Sequence, residues 1–329
     1  MIRSLAKLAL SFAALVLLAL LAAAPALAVS KAWVSNAGVD GPSCGAVTAP
    51  CATFQRAHNN AAAGGEVGVL TPGDYGLVNV NKSVNLTNDG TGEASILIPT
   101  NGGTGVFILA GAGDIVSLRG LVIDGQGIGG SGIDFQSGAA LHVQNCVVRN
   151  FEGSGTSIGI AFQPSGNTQL FVSDTIVFNN GSNAASAGIL IQPTAPGNVR
   201  IALDRVHVEN NVQGIKVDGT FGTGGSIRVG LRDSAVSGNL GNGVWSFRPI
   251  GSGASTVVIV NRTAVVNNAG AGVLADGGGI VLLDDSAVVA NGTGASVASG
   301  GRLLTYGNNV IDNNVGEDLS PAAIARTTK

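Results

Sequence analysis

At 329 residues the chain is long enough for one large domain or two small ones, and 45% hydrophobic with 11% charged residues excludes a disordered polymer. The 51 glycines are about twice the usual ~7% share, the charge is about half the usual ~25%, and aromatics are only 4%, all of which argue against a helical globule. The glycines keep no three-residue period and prolines number 10, so a collagen helix is out, and a net charge of −3 with no basic stripe excludes a nucleic-acid partner.

Residues 1–28 read as a secretory signal: Arg3 and Lys7, an apolar run from Leu8 to Ala24, then an Ala26-Leu27-Ala28 cleavage site. An uncleaved membrane anchor is the competing reading of that run, which sits at the short end of a ~17–25-residue span. No later stretch is as long and apolar, so no membrane span is expected after cleavage. An exported protein, periplasmic or extracellular, follows. In that setting Cys44 and Cys51, bracketing a short loop with Gly45 and Pro50, suggest a local disulfide. A metal site is disfavoured because CxxC spacing and neighbouring histidines are both missing.

Thr53 to Ala63 places Phe54, Ala57, Ala61 and Ala62 at helical spacing, with Gly64-Gly65 as a stop. This predicts a helix lying across the first strands and shielding their edges, with His58 turned to solvent.

From there the chain repeats. A glycine followed by an apolar, variable, apolar pattern recurs at Gly105, Gly132, Gly159, Gly188, Gly214, Gly243 and Gly272, every 26–29 residues. Each repeat holds three short stretches of strand-like alternation. The first turns inward pairs such as Ile133/Phe135 and Ile215/Val217. The second runs Val116/Leu118, Leu141/Val143, Leu170/Val172, Ile201/Leu203, Val229/Leu231, Val258/Val260, Val281/Leu283 and Leu304/Tyr306. The third repeats an aliphatic from Ile123 to Ile311, preceded by a column of mostly small residues that includes Cys146, which is thereby read as packing. Three stacked strands per ~28-residue unit predict an all-β, single-stranded parallel β-helix with three-sided coils.

Asparagine follows the third strand nearly every time: Asn150, Asn179-Asn180, Asn210-Asn211, Asn239, Asn267-Asn268, Asn291 and Asn313-Asn314. Asparagine tolerates a left-handed corner, and its amide can bond to the next one along the stack. The expected division is signal 1–28, cap with short helix 29–65, β-helix 66–318 and tail or second cap 319–329.

Trp33-Val34-Ser35, Gly38, Asp40, Pro50, Thr53-Phe54, Ala57, Gly65-Glu66-Val67, Pro72-Gly73 and Tyr75, followed by the coil pattern, resemble secreted bacterial right-handed parallel β-helix proteins of the pectate-lyase-like superfamily. The resemblance spans roughly 33–318 and implies the right-handed sense. Its members include polysaccharide lyases, hydrolases and epimerases beside chains of no assigned activity, so fold alone does not settle function.

The resemblance directs attention to the outer side of the first strands. There Gln136, Gln163, Gln192 and Asp218 form a polar line ending beside Trp245, Phe247 and Arg248, a mixture suited to a sugar chain. A stacked, solvated glutamine ladder is the competing reading. For catalysis, Lys216 with Asp218 is the one fragment of a lyase arrangement. Asp134 and Asp218 stand three rungs apart, roughly 14 Å, beyond the ~5–9.5 Å of a carboxylate pair, and Asp218 and Asp276, at ~10 Å, are marginal. His142 and His207 fall on different faces. Gly125-x-Gly127-x-x-Gly130 precedes a strand where a dinucleotide site needs a helix. Gly129 to Asp134 resembles a calcium-binding nonapeptide, but it occurs once and has Gln136 where an apolar residue belongs. Asp284-Asp285 mark a corner. The expectation is an exported, non-catalytic, monomeric β-solenoid, structural or polysaccharide-interacting, without cofactor. The alternative is a polysaccharide-modifying enzyme, using calcium if a lyase.

Overall fold

The computed structural model describes residues 29–326, so the expected signal segment lies outside the described residues. The chain coils through three parallel sheets: nine strands on the first face, from Val78–Val80 to Thr293–Ala298; twelve on the second, from Val29–Val34 to Ile324–Arg326; and ten on the third, from Gly73–Asp74 to Val310–Asp312. Each strand pairs with its counterpart one coil on. Ile133, Ile160, Ile189, Ile215, Val244 and Val273 are partners in succession on the first face. Leu141, Leu170, Ile201, Val229, Val258 and Val281 are partners on the second. All twelve are buried, each gaining ~1.5–3 kcal/mol when covered above and below.

One pair departs from the expected register. Leu303 and Thr305, not Leu304 and Tyr306, stand under Val281 and Leu283. Ile311 remains under Val288 on the third face, so the last coil carries one more residue at its Tyr306–Asn309 corner. Counting back from the third strand therefore slips by one.

The corner asparagines divide into two columns. Asn150, Asn179, Asn210, Asn267 and Asn313 take the left-handed backbone, with φ from 54° to 60°. The next position along, at Asn180, Asn211, Asn239, Asn268 and Asn291, is buried and forms the ladder. Each Nδ2 donates to the following Oδ1 at 2.7–3.1 Å: Asn180 to Asn211, then Asn239, Asn268, Asn291 and Asn314. Each Oδ1 from Asn211 onward also accepts the backbone N–H of the preceding ladder residue, and each Nδ2 reaches a valine carbonyl such as Val208 O from Asn239. The marker glycines from Gly159 to Gly272 face this ladder. A Cβ on Gly214 would stand 2.4 Å from Gly243 O and 3.0 Å from Asn239 Nδ2, so only glycine lets neighbouring coils close. Between the second and third strands a second left-handed column runs through Asn145, Asp174, Arg205, Asp233, Arg262 and Asp285, placing Asp285 at the expected corner.

The cap helix α1 spans Phe54–Asn60, shorter than expected. Ala61 turns extended and opens the strand Ala61–Val69, because pairing with Val29–Val34 and Val84–Thr87 outweighs alanine's helix propensity. Thr53 caps the helix by accepting from Arg56 N, and Asp40 accepts from Thr53's hydroxyl and from the N–H groups of Ala52 and Thr53. Asn60 Nδ2 donates to Cys44 O, tying the helix end to the loop closed by the Cys44–Cys51 disulfide. His58 does not face solvent: with Phe54 and Ala57 it is buried against the first strands, and its Nε2 has no partner. Burial holds its pKa below the ordinary value. Cys146 is buried in its packing column, and burial pushes its thiol up to about 11, which removes nucleophilic thiolate.

Asn239→Ala strands donors and acceptors on both neighbouring coils and should cost about 2–4 kcal/mol in denaturant unfolding, whereas Asn267→Gly, at a left-handed corner that glycine accepts, should stay within about 0.5 kcal/mol. For His58 the unfolded chain is the better proton acceptor, so stability is full above about pH 6.5 and declines as pH falls below it. His58→Gln should flatten the slope of melting temperature between pH 7.5 and 5, and an unchanged slope would refute a buried neutral imidazole.

Candidate functional site

Three of the residues on the expected polar line connect. Gln163 Nε2 donates to Gln192 Oε1 at 3.2 Å, and Gln192 Nε2 donates to Asp218 Oδ2 at 3.0 Å. Gln136 turns away and donates to Asp134, whose carboxyl burial holds above its ordinary pKa. Asp218 is buried, and its second oxygen accepts both the N–H and the hydroxyl of Thr220. Lys216 Nζ lies 3.2 Å from Asp218 Oδ2 and 4.7 Å from the Trp245 ring centroid. Trp245 and Phe247 are tilted with centroids 6.0 Å apart, and Arg248 Nε donates to Ser252 O across its turn. The group is brought together, with its carboxylate and amides spent on one another and the buried Trp245 Nε1 without a partner. Asp218 has both oxygens filled, and Lys216 is held between a carboxylate and an indole.

The loops beside it stack on themselves. Ala254 N donates to Gly219 O, and Gly219 N to Phe247 O. They do not wall Lys216, Asp218 and Trp245 into any of the hollows described next. Asp218, Phe247 and Asp276 follow in successive strands, confirming a two-rung separation between the two carboxylates. His142 stacks on Phe171 on the second face, while His207 sits beside Glu209 on the third, so they do not meet.

Four open hollows lie on the outer side of the second face. Hollows of about 620 and 450 Å³ share Gln169 and Arg200, and two more of about 320 and 250 Å³ lie nearer the cap around Lys31 and Glu66. The central outward column reads Glu66, Asn85, Ser117, His142, Phe171, Ala202, Gly230, Ile259 and Leu282 along successive rungs. At ~4.8 Å per rung the seven steps from Glu66 to Ile259 extend roughly 34 Å. In the hollow of about 620 Å³, Ala202 and Gly230 form a low floor between Phe171 and Ile259, which remain 37% and 43% exposed. Arg200 and Arg228 are partners on adjacent strands along one side. Their neighbours Arg205 and Arg232 are paired with Asp174 and Asp204, but Arg200 and Arg228 have no acidic partner among the described residues.

None of the residues around the Ala202–Gly230 floor stands out from the sequence as a site. The floor's one legible signal is Gly230, which interrupts the alternation of Ile227-Arg228-Val229-Gly230-Leu231 at an outward position. A Cβ built there meets nothing within 4 Å.

No known family's sequence pattern matches the chain, and no curated protein does so. Among solved structures, the crystal structure of pectate lyase Pel9A superposes with a TM-score of 0.66 over 91% of this chain and 80% of that one, at 16% identity. The fold is thus a right-handed parallel β-helix of the pectate-lyase-like kind. No helix among the described residues is long and apolar enough to cross a membrane.

Asp218→Ala removes the acceptor shared by Gln192, Lys216 and Thr220 and should destabilise the fold by about 2–4 kcal/mol. Denaturant midpoints check this, and a neutral result would return Asp218 to the list of free carboxylates.

Proposed function

We propose that this is an exported, non-catalytic β-solenoid that holds a polysaccharide lengthwise along the outer side of its second face. The carrying observation is the run of hollows on that one face, with Phe171 exposed at the edge of a low floor. A sugar ring offers an apolar C–H face and a polar rim. Phe171 suits the first and the bordering polar side chains the second. Likeness of fold to a pectate lyase supports a saccharide ligand by analogy.

The filled coordination of Asp218 supports a non-catalytic role. A proton-abstracting base needs a free lone pair within reach of substrate, and a calcium-dependent lyase needs carboxylate oxygens still open to the cation. In this reading Gln163, Gln192, Asp218 and Lys216 act as a strut bracing the first face, and no cofactor is required.

Retention on an immobilised glycan panel tests the reading. Phe171→Ala should weaken binding about tenfold, in line with the ~1–3 kcal/mol that one stacked ring supplies elsewhere, while leaving the unfolding midpoint nearly unchanged. Trp245→Ala should not weaken it, and the opposite pattern would move the track to the first face. Incubation with uronate polymers, with and without calcium, should give no unsaturated products, and their appearance would establish the lyase alternative.

A further inference from the structure

We infer that Arg200 and Arg228 form an anion-selecting subsite over the Ala202–Gly230 floor, taking a carboxylate or sulfate half-ester carried on the polymer. The inference rests on the second-face reading above and narrows its ligand class.

Three observations converge. The first is the charge. Arg200 and Arg228 are in-register partners on adjacent strands, an arrangement of like charges that is unfavourable unless an anion intervenes. The corner beside them shows the contrast: there each arginine meets an aspartate, with Arg205 on Asp174 and Arg232 on Asp204 at 2.7 and 2.8 Å. In a chain of net charge −3, these two in-register arginines, with no acidic partner among the described residues, line the hollow of about 620 Å³.

The second is Gly230. Glycine inside a strand weakens it and is found where a bulge, a bend or a close-approaching ligand requires it. Gly230 is paired regularly on both sides, to Ala202 and Ile259, and its backbone is not left-handed. Since open space lies above it, the coil packing does not demand glycine there. A group settling onto the floor would.

The third is geometry. Adjacent strands place the two guanidinium stems ~4.8 Å apart, close enough for both forks to donate to one planar or tetrahedral anion. The same anion would be attached to a ring whose apolar face meets Phe171 or Ile259. Two guanidinium groups neutralise the anion directly, so binding should need no divalent cation.

The test measures retention of the full-length mature protein on immobilised alginate, dextran sulfate and uncharged dextran, with a chelator present throughout. Wild-type protein should be held on at least one anionic polymer and released by salt. Retention on alginate assigns a carboxylate, and retention on dextran sulfate a half-ester. Arg200→Gln/Arg228→Gln should lose at least about tenfold of that retention. Gly230→Val should lose as much while keeping or raising the unfolding midpoint, since its side chain enters open space. Arg56→Gln/Arg326→Gln, which removes two charges near the solenoid's ends, should change nothing. Equal loss in that control, undiminished retention in the groove variants, or retention only without chelator would each overturn the subsite. Tighter holding on uncharged dextran would overturn it while leaving the second-face reading intact, whereas no retention of any polymer would overturn both.

Discussion

The structure depends on one constraint: each coil's interior can be covered only by the coils directly above and below it. An inward valine is dry when a like side chain sits one rung along, so the core is a set of columns parallel to the axis. That requirement sets the demands on the corners. Every turn must return the chain at the same height, which the left-handed positions accomplish. Every polar group trapped between coils must find a partner along the axis, which the ladder asparagines supply. The marker glycines meet the same demand sterically, as Gly214 shows against the Gly243 carbonyl. Register, corner chemistry and close approach are thus one condition expressed at three places.

That condition explains why the fold was legible and where legibility stopped. Inward positions repeat because physics gives them one solution, so the columns from Leu141 to Val281 can be read from the letters alone. The reading failed where a local event changed the spacing or the environment. One extra residue at the Tyr306–Asn309 corner shifted the second-face pair to Leu303 and Thr305. At the cap, an alanine-rich run looked helical, but strand pairing claimed it from Ala61 onward. His58 is polar and so expected in water, yet the helix packs on the first strands so that its ring is enclosed. The corner asparagines looked like a single device, but adjacent positions divide the work, with Asn267 bending the chain and Asn268 bonding along it.

The candidate site was less legible for a related reason. Outward side chains answer to solvent or ligand, and a one-dimensional pattern does not say which outward columns meet across coils. The first-face line was visible because glutamines recur at a fixed offset from the marker glycine. In three dimensions that regularity produces mutual satisfaction: Gln163 bonds Gln192, Gln192 bonds Asp218, and Asp218 is completed by Lys216 and Thr220. The second-face hollow is made of unlike residues, a phenylalanine, an alanine, a glycine and an isoleucine, whose adjacency appears only after the strands are paired.

The two faces can therefore be compared by what stacking leaves undone. On the first, Gln163, Gln192, Asp218, Lys216 and Thr220 close on one another, and the buried Trp245 Nε1 beside them is left without a partner. On the second, an interior-strand glycine and two neighbouring arginines without an acidic partner among the described residues each run against what a self-sufficient sheet favours. Departures from local rules concentrate where a structure serves something other than its own folding. Both converge on one hollow, beside Phe171, in a molecule whose corners otherwise pair arginine with aspartate coil after coil. A stack that needs only its own columns would have filled the floor at Gly230 and set an acid beside Arg228; leaving both undone has physical sense when the missing side chain and the missing charge arrive together on a ligand.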